Sequence, residues 1–126
     1  MTAQVRDVAP GIFASPSNMA EAYGVRIEAD GTQTLLPVGS PIILDDRPVS
    51  LVLSGTGIRN RSSLDNVRCT IGSISMSVEY AGPDGDVPGR DQVKVRLTAA
   101  LQGNRDGHLI LMVDGVSSNT VLVDIR

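Results

Sequence analysis

Apolar and polar positions alternate along much of this chain with a period of two, the signature of strands that bury one face. The clearest run sets Ile74, Met76, Val78 and Tyr80 against Ser73, Ser75, Ser77 and Glu79. Its partner lies just upstream, where Val67, Cys69 and Ile71 alternate with Arg68 and Thr70, and Gly72-Ser73 between the two suits a two-residue hairpin with Cys69 and Met76 inward. Asp30-Gly31 predicts a second hairpin, joining Val25, Ile27 and Ala29 to Thr32–Leu36, and Asp114-Gly115 a third, joining His108–Val113 to Asn119–Ile125. Both dipeptides suit a type I′ turn, which needs positive φ at two successive residues.

Two further runs complete the set. Pro48–Ser54 places Val49, Leu51 and Leu53 on one face, and Gln92–Leu97 places Val93, Val95 and Leu97 inward against Gln92, Lys94 and Arg96. Leu109–Val113 is apolar on both faces, which predicts a central strand covered on both sides or the middle of the longest hairpin. Helical periodicity is absent over any useful length, and Asn60–Asn66 offers one turn at most. About seven to nine short strands separated by turn signals predict an all-β fold, an immunoglobulin-like β-sandwich, with a small barrel as the lesser alternative. The antibody pattern of two cysteines around a tryptophan is missing, because the chain has one Cys and no Trp.

Composition narrows the functional classes. With 126 residues, 41% of them apolar, the chain is long enough for one core and short for two. Residues 9–126 are expected to form the domain, and residues 1–8 a terminal strand or interdomain linker. As an edge strand, Thr2–Val8 would offer unpaired backbone groups for self-association or for a neighbouring domain. Eleven basic residues against fourteen acidic ones give a net charge of −3, which argues against a nucleic-acid or anionic-membrane partner. No apolar run is long enough to span a bilayer. The first residues lack the charged and apolar regions of a signal peptide, so an export signal is expected to lie outside this chain.

No catalytic constellation is visible. The single histidine, His108, opens an apolar strand, and no Gly-x-Ser-x-Gly elbow accompanies it. Cys69 occupies an inward position between Val67 and Ile71 and reads as a small buried hydrophobe. Asp45 and Asp46 are adjacent and would point to opposite faces of a strand, so they form no shared-proton pair. Gly55-Thr56-Gly57 opens like a dinucleotide-binding loop, but Asn60 stands at the third glycine position and no helix follows; a strand-terminating turn fits better. Asn60-Arg61-Ser62 matches a glycosylation sequon that short chance matches also produce.

The segment from Gly82 to Asp91 is the longest polar loop and carries Asp84, Asp86 and Asp91. Clustered carboxylates raise the possibility of calcium, yet the loop lacks the bidentate Glu of an EF-hand. Glycan recognition wants exposed rings, and Phe13 and Tyr80 are both expected to be buried, leaving Tyr23. The expectation is therefore no metal, no cofactor and no assigned ligand-binding residue.

From Val8 onward the chain resembles an uncharacterised C-terminal domain repeated at the ends of large exported proteins of Solibacter and related acidobacteria. The resemblance rests on Val8-Ala9-Pro10-Gly11-Ile12-Phe13, Leu53-Ser54-Gly55-Thr56-Gly57-Ile58, Tyr80-Ala81-Gly82-Pro83, Gly89-Arg90-Asp91-Gln92-Val93, Val113-Asp114-Gly115 and Ser118-Asn119, in that order over about nine tenths of the chain. Lys94 and Thr98 depart from it, where the family usually shows Asn and Pro. It implies a bacterial, secreted or cell-surface accessory domain without catalytic residues. Such a domain would serve protein interaction, spacing or anchoring beside upstream domains of the same polypeptide or another surface protein. The alternative is a ligand-binding module that takes calcium or a glycan on the loop from Gly82 to Asp91. Gly11, Gly55, Gly57 and Gly82 read as turn glycines, and Asn119 as a residue bonding its neighbouring backbone at a hairpin.

Overall fold

Each predicted hairpin forms, and each is closed by the chemistry of its turn. The computed structural model describes residues 10–37, 41–103 and 107–126; the expectations placed on residues 1–8 lie outside them. In chain order the strands are β1 (Gly11–Ile12), β2 (Ala22–Ile27), β3 (Gln33–Leu36), β4 (Val49–Thr56), β5 (Val67–Ile71), β6 (Ile74–Pro83), β7 (Asp91–Arg96), β8 (Gly107–Val113), β9 (Val116–Ser117) and β10 (Val121–Val123). Among the described residues the count is ten rather than seven to nine because β1 and β9, two residues each, are too short to show a period. Among the described residues the only helical turns are two 3-10 turns, Leu64–Asn66 and Ala99–Leu101.

The sheet runs β10-β8-β5-β6-β7-β4-β2-β3, with β1 added to β4 and β9 to β8, and every pairing between these strands is antiparallel. Strand β6 belongs to both halves. Ile74 to Met76 pair with β5, and Ser77 to Pro83 pair with β7. The chain therefore folds over into two facing layers, consistent with an immunoglobulin-like β-sandwich. Inner residues of both layers, Leu51, Val93 and Val95 on one side and Cys69, Leu109 and Leu111 on the other, form one core. Cys69 faces Met76 across the β5–β6 hairpin, and both are buried as predicted.

Turn types differ in detail from the expectation. Asp114 and Gly115 both take positive φ, 50° and 82°, as a type I′ turn requires. At Asp30-Gly31 only Gly31 does so. The Gly31 N–H donates to the Glu28 carbonyl and the Glu28 N–H to that of Thr32, which makes a three-residue loop with a bulge at Gly31. The Asp30 carboxylate accepts from the Thr32 N–H and hydroxyl at 3.0 and 2.6 Å, which braces this loop.

Tyr80 is expected on the buried face of β6 and is instead 41% exposed. The register shifts between Val78 and Tyr80, so Glu79 is an extra residue that reverses the alternation, and Ala81 takes the inward position opposite Val93. Phe13 is also exposed rather than buried. Ile12 takes the inward place, and the next residue along an extended chain points outward. The outer flank of β10 is sealed by two parallel segments. Ala20 N–H donates to the Leu122 carbonyl, Ile42 N–H to that of Asp124, and Arg126 N–H to that of Ile42.

Candidate functional site

The resemblance segments, scattered along the chain, converge on one end of the sandwich. Gly11 and Ile12 pair with Thr56 and Gly55, Gly55 pairs on its other side with Asp91, and Asp91 pairs with Pro83. A Cβ on Gly55 would collide with the Gly11 carbonyl oxygen, so the β1–β4 approach requires glycine there. The turn after β4 places Gly57 at φ +73° and leaves the N–H groups of Ile58 and Arg59 side by side. Such a pair grips anions. Here the anion is the 1% exposed carboxylate of Asp91, which accepts from both N–H groups at 2.8 and 3.0 Å and from Arg59 Nε at 2.7 Å. The Gly-x-Gly turn thus does build an oxyanion cradle, and the chain fills it itself.

Asn119 acts at long range instead of on its neighbours. Its Oδ1 accepts from the Ile12 N–H at 2.8 Å and its Nδ2 donates to the Ile12 carbonyl at 3.0 Å, so one side-chain amide replaces a strand partner for β1. Beside it, Ser118 Oγ accepts from the Leu111 N–H. Tyr80 folds back over Gly82 and donates its hydroxyl to the Pro83 carbonyl at 2.6 Å, while Arg61 Nε donates to that of Ala81.

In the loop from Gly82 to Asp91, Asp84 is committed in the same way. Asp84 accepts from the Asp86 N–H at 2.9 Å and from Arg90 Nε at 2.8 Å. That backbone N–H, with the guanidinium, holds the Asp84 carboxyl below its usual range. Asp86 is exposed at the loop tip. Among the described residues no three His, Cys, Asp or Glu side chains are grouped to hold a metal ion.

His108 is exposed opposite Leu122. Cys69 is buried, and burial pushes its thiol up to about 12, so it stays protonated at neutral pH. Tyr23 and Tyr80 stand at the two ends of a row across the outer sheet face, Tyr23, Val52, Lys94, Tyr80. Three strand spacings, about 14 Å, separate their backbones, too far for both rings to stack on one sugar.

The polar network that sequence reasoning missed surrounds Glu28. Its carboxylate accepts from Thr34 Oγ1 at 2.8 Å, Arg26 Nε at 3.0 Å and Arg47 Nη1 at 2.8 Å, and these bonds bring Glu28 down to about 2. Arg47 also clamps Asp45, which falls to about 2 through the guanidinium and the Arg47 N–H. The signal available was the Arg26 and Glu28 pair two residues apart; Arg47, nineteen residues on, had none.

Surface hollows remain between loops and strands. One, of about 450 Å³, is lined by Ser62, Asn66, Arg68, Met112, Asp114 and Gly115. In it Ser62 donates its N–H and hydroxyl to the Asp114 carboxylate at 2.9 and 2.8 Å, an arrangement that pins a loop to the β8–β9 turn. No histidine borders it, so the Ser62 hydroxyl has no imidazole base to activate it. Another, of about 240 Å³, lies between Leu44–Val49 and Leu97–Ala99 and is bordered by Thr98, whose buried hydroxyl oxygen has no hydrogen-bond partner among the described residues. No helix among the described residues is long and apolar enough to cross a membrane. Comparison with known proteins finds no matching family model, no matching curated protein and no matching solved structure.

Proposed function

We propose that this chain is a non-catalytic accessory module of a secreted or cell-surface protein, serving protein interaction, spacing or anchoring. One observation carries the reading. The segments with the most distinctive residue types converge at one end of the sandwich, and their polar groups hold the chain to itself: Asp91 on Ile58 and Arg59, Asn119 on Ile12, and Tyr80 on Pro83. In a catalytic or ligand-binding cluster such groups converge on open space. Here they converge on backbone, which favours a rigid part that presents its surface. The bacterial exported context and the upstream partner domains rest on the resemblance of these same segments.

The calcium or glycan alternative on the loop from Gly82 to Asp91 has less support. Binding a cation there would first require breaking the Asp84–Arg90 and Asp91–Arg59 pairs. The test joins calorimetry with Ca²⁺ to turnover assays on ester, glycoside and peptide substrates. Neither heat of binding at micromolar Ca²⁺ nor turnover is expected. A micromolar constant abolished by Asp84→Asn would favour the ligand-binding module, and turnover lost in Ser62→Ala or His108→Ala would make the protein an enzyme.

A further inference from the structure

The two flanks of the folded sheet are finished differently. Beyond β10 the backbone is bonded to Asn18–Ala20 and to Ile42–Leu44. Beyond β3, among the described residues, nothing pairs. The direction of the β3 backbone groups follows from its neighbours. Ile27 N–H donates away from β3, to the Pro48 carbonyl, while Glu28 N–H donates toward it, to that of Thr32. Antiparallel ladders alternate, so Arg26–Thr34 and Gly24–Leu36 are the bonded pairs of the β2–β3 register. The N–H and C=O groups of Gln33 and Leu35 therefore point out of the sheet edge.

Natural edges are commonly protected by a charge, an inward lysine, a bulge or a proline on the strand. The four residues of β3 include none of these. Leu35 lies on the outer face beside Val25 and is 65% exposed. Protection begins only at Pro37, which lacks the N–H that the next outward position would offer.

We infer that β3 pairs antiparallel with β3 of a second copy of this chain, on a two-fold axis through Thr34. In that register Gln33 of each copy lies opposite Leu35 of the other and four N–H···O=C bonds form. Two features select a twin over a foreign strand. The edge offers two outward residues before Pro37 ends it, and a twin matches that length group for group, whereas a longer strand would leave its further groups unpaired. The strand is also uncharged, and antiparallel pairing sets the acidic Glu28–Asp30 turn of one copy against the Pro37 end of the other, so like charges do not meet. The two exposed Leu35 side chains come together diagonally on one continuous outer face. A contact of this size is well below that of a stable dimer, so the association is weak. The inference deepens the interaction reading by naming its partner.

The test is hydrogen exchange followed by NMR, between dilute protein and protein at about 1 mM, the range of weak association, with sedimentation equilibrium on the same samples. The expected result is a rise toward dimer mass at the higher concentration, with new protection at the Gln33 and Leu35 amides. Leu35→Pro removes an N–H that β2 does not use, so it should keep the melting temperature and abolish the mass increase. Leu35→Lys keeps the N–H, brings two cations together across the axis, and should weaken association by about tenfold or more; it decides the matter should the proline variant fail to fold. A strict monomer at the upper concentration, new protection elsewhere, or a dimer that survives either folded variant overturns the pairing. A monomer that still binds a neighbouring surface protein overturns self-pairing alone and leaves the interaction reading in place.

Discussion

Strands β4 and β8 hold corresponding places, each flanked on both sides within its half of the sheet. Their inner rows are alike: Val49, Leu51 and Leu53 against Leu109, Leu111 and Val113, all essentially inaccessible. Their outer rows are opposite. On β4, Ser50 and Val52 are 2% and 4% exposed, while on β8 Met112 is 39% exposed and His108 is open to solvent. Hydropathy predicts the reverse, since β8 is apolar on both faces and β4 carries serines outward. The neighbours make the difference. Val52 lies between Tyr23 and Lys94, and Ser50 takes Glu79 from the β6 bulge at 2.6 Å and Arg96 Nε at 3.3 Å. Met112 lies between Arg68 and Ser117, and the β5–β8 register beside it runs without a shift. Outer-face burial in a sandwich is thus conferred by side chains on adjacent strands, which lay apolar stems and long polar arms across the sheet.

The largest effect should leave the comparison intact. Leu51→Ala and Leu111→Ala each remove a fully buried side chain from the inner rows, and each should lose about 2–5 kcal/mol in urea unfolding. The outer rows separate the strands. Val52→Ala should cost roughly 1.5 kcal/mol, from two buried methyl groups, while Met112→Ala should stay within about 0.5 kcal/mol. Equal losses in the two would break the contrast. A smaller effect, about 1 kcal/mol, is expected for Ser50→Ala, which strips Glu79 and Arg96 of their shared partner. For Glu79, burial raises the carboxyl, but the Ser50 hydroxyl and Arg96 outweigh it and hold it low.

The smallest effect is read from pH. Glu28, held at about 2 in the folded chain, binds its proton more readily when unfolded. Its contribution is therefore present above the ordinary carboxylate range and is lost as pH falls toward 2. Thermal melts should decline between about pH 5 and pH 2, and Glu28→Gln should flatten part of that slope. An unchanged slope would remove the Arg26–Arg47 network from the stability of the β2 side.

Sequence carries what is local. The β5–β6 and β8–β9 hairpins, the inward rows of β4 and β7 and the helical turn near Asn66 all follow from alternation and turn chemistry over a few residues. Tyr80 misled because an inserted Glu79 leaves no mark in an already alternating sequence; only the Gln92–Val95 partner strand exposes the extra residue. Asp91 and Asn119 were visible as distinctive residues, but their partners lie 33 and 107 positions away, beyond any local pattern. The open edge at Gln33 and Leu35 needed the register of β2 against both its neighbours.

The Asn119 clasp on Ile12 also orders events in time. A ribosome adding about 5–20 residues per second completes β1 roughly 5 to 20 s before it supplies the amide that β1 depends on, 107 positions later. Asn18–Ala20 and Ile42–Leu44 likewise wait for β10 and the residues that follow it. The sealed flank is thus the last to close during synthesis, and until it does the chain carries several unpaired backbone stretches in the open. β1, made early, thus waits for a side chain made 107 positions later.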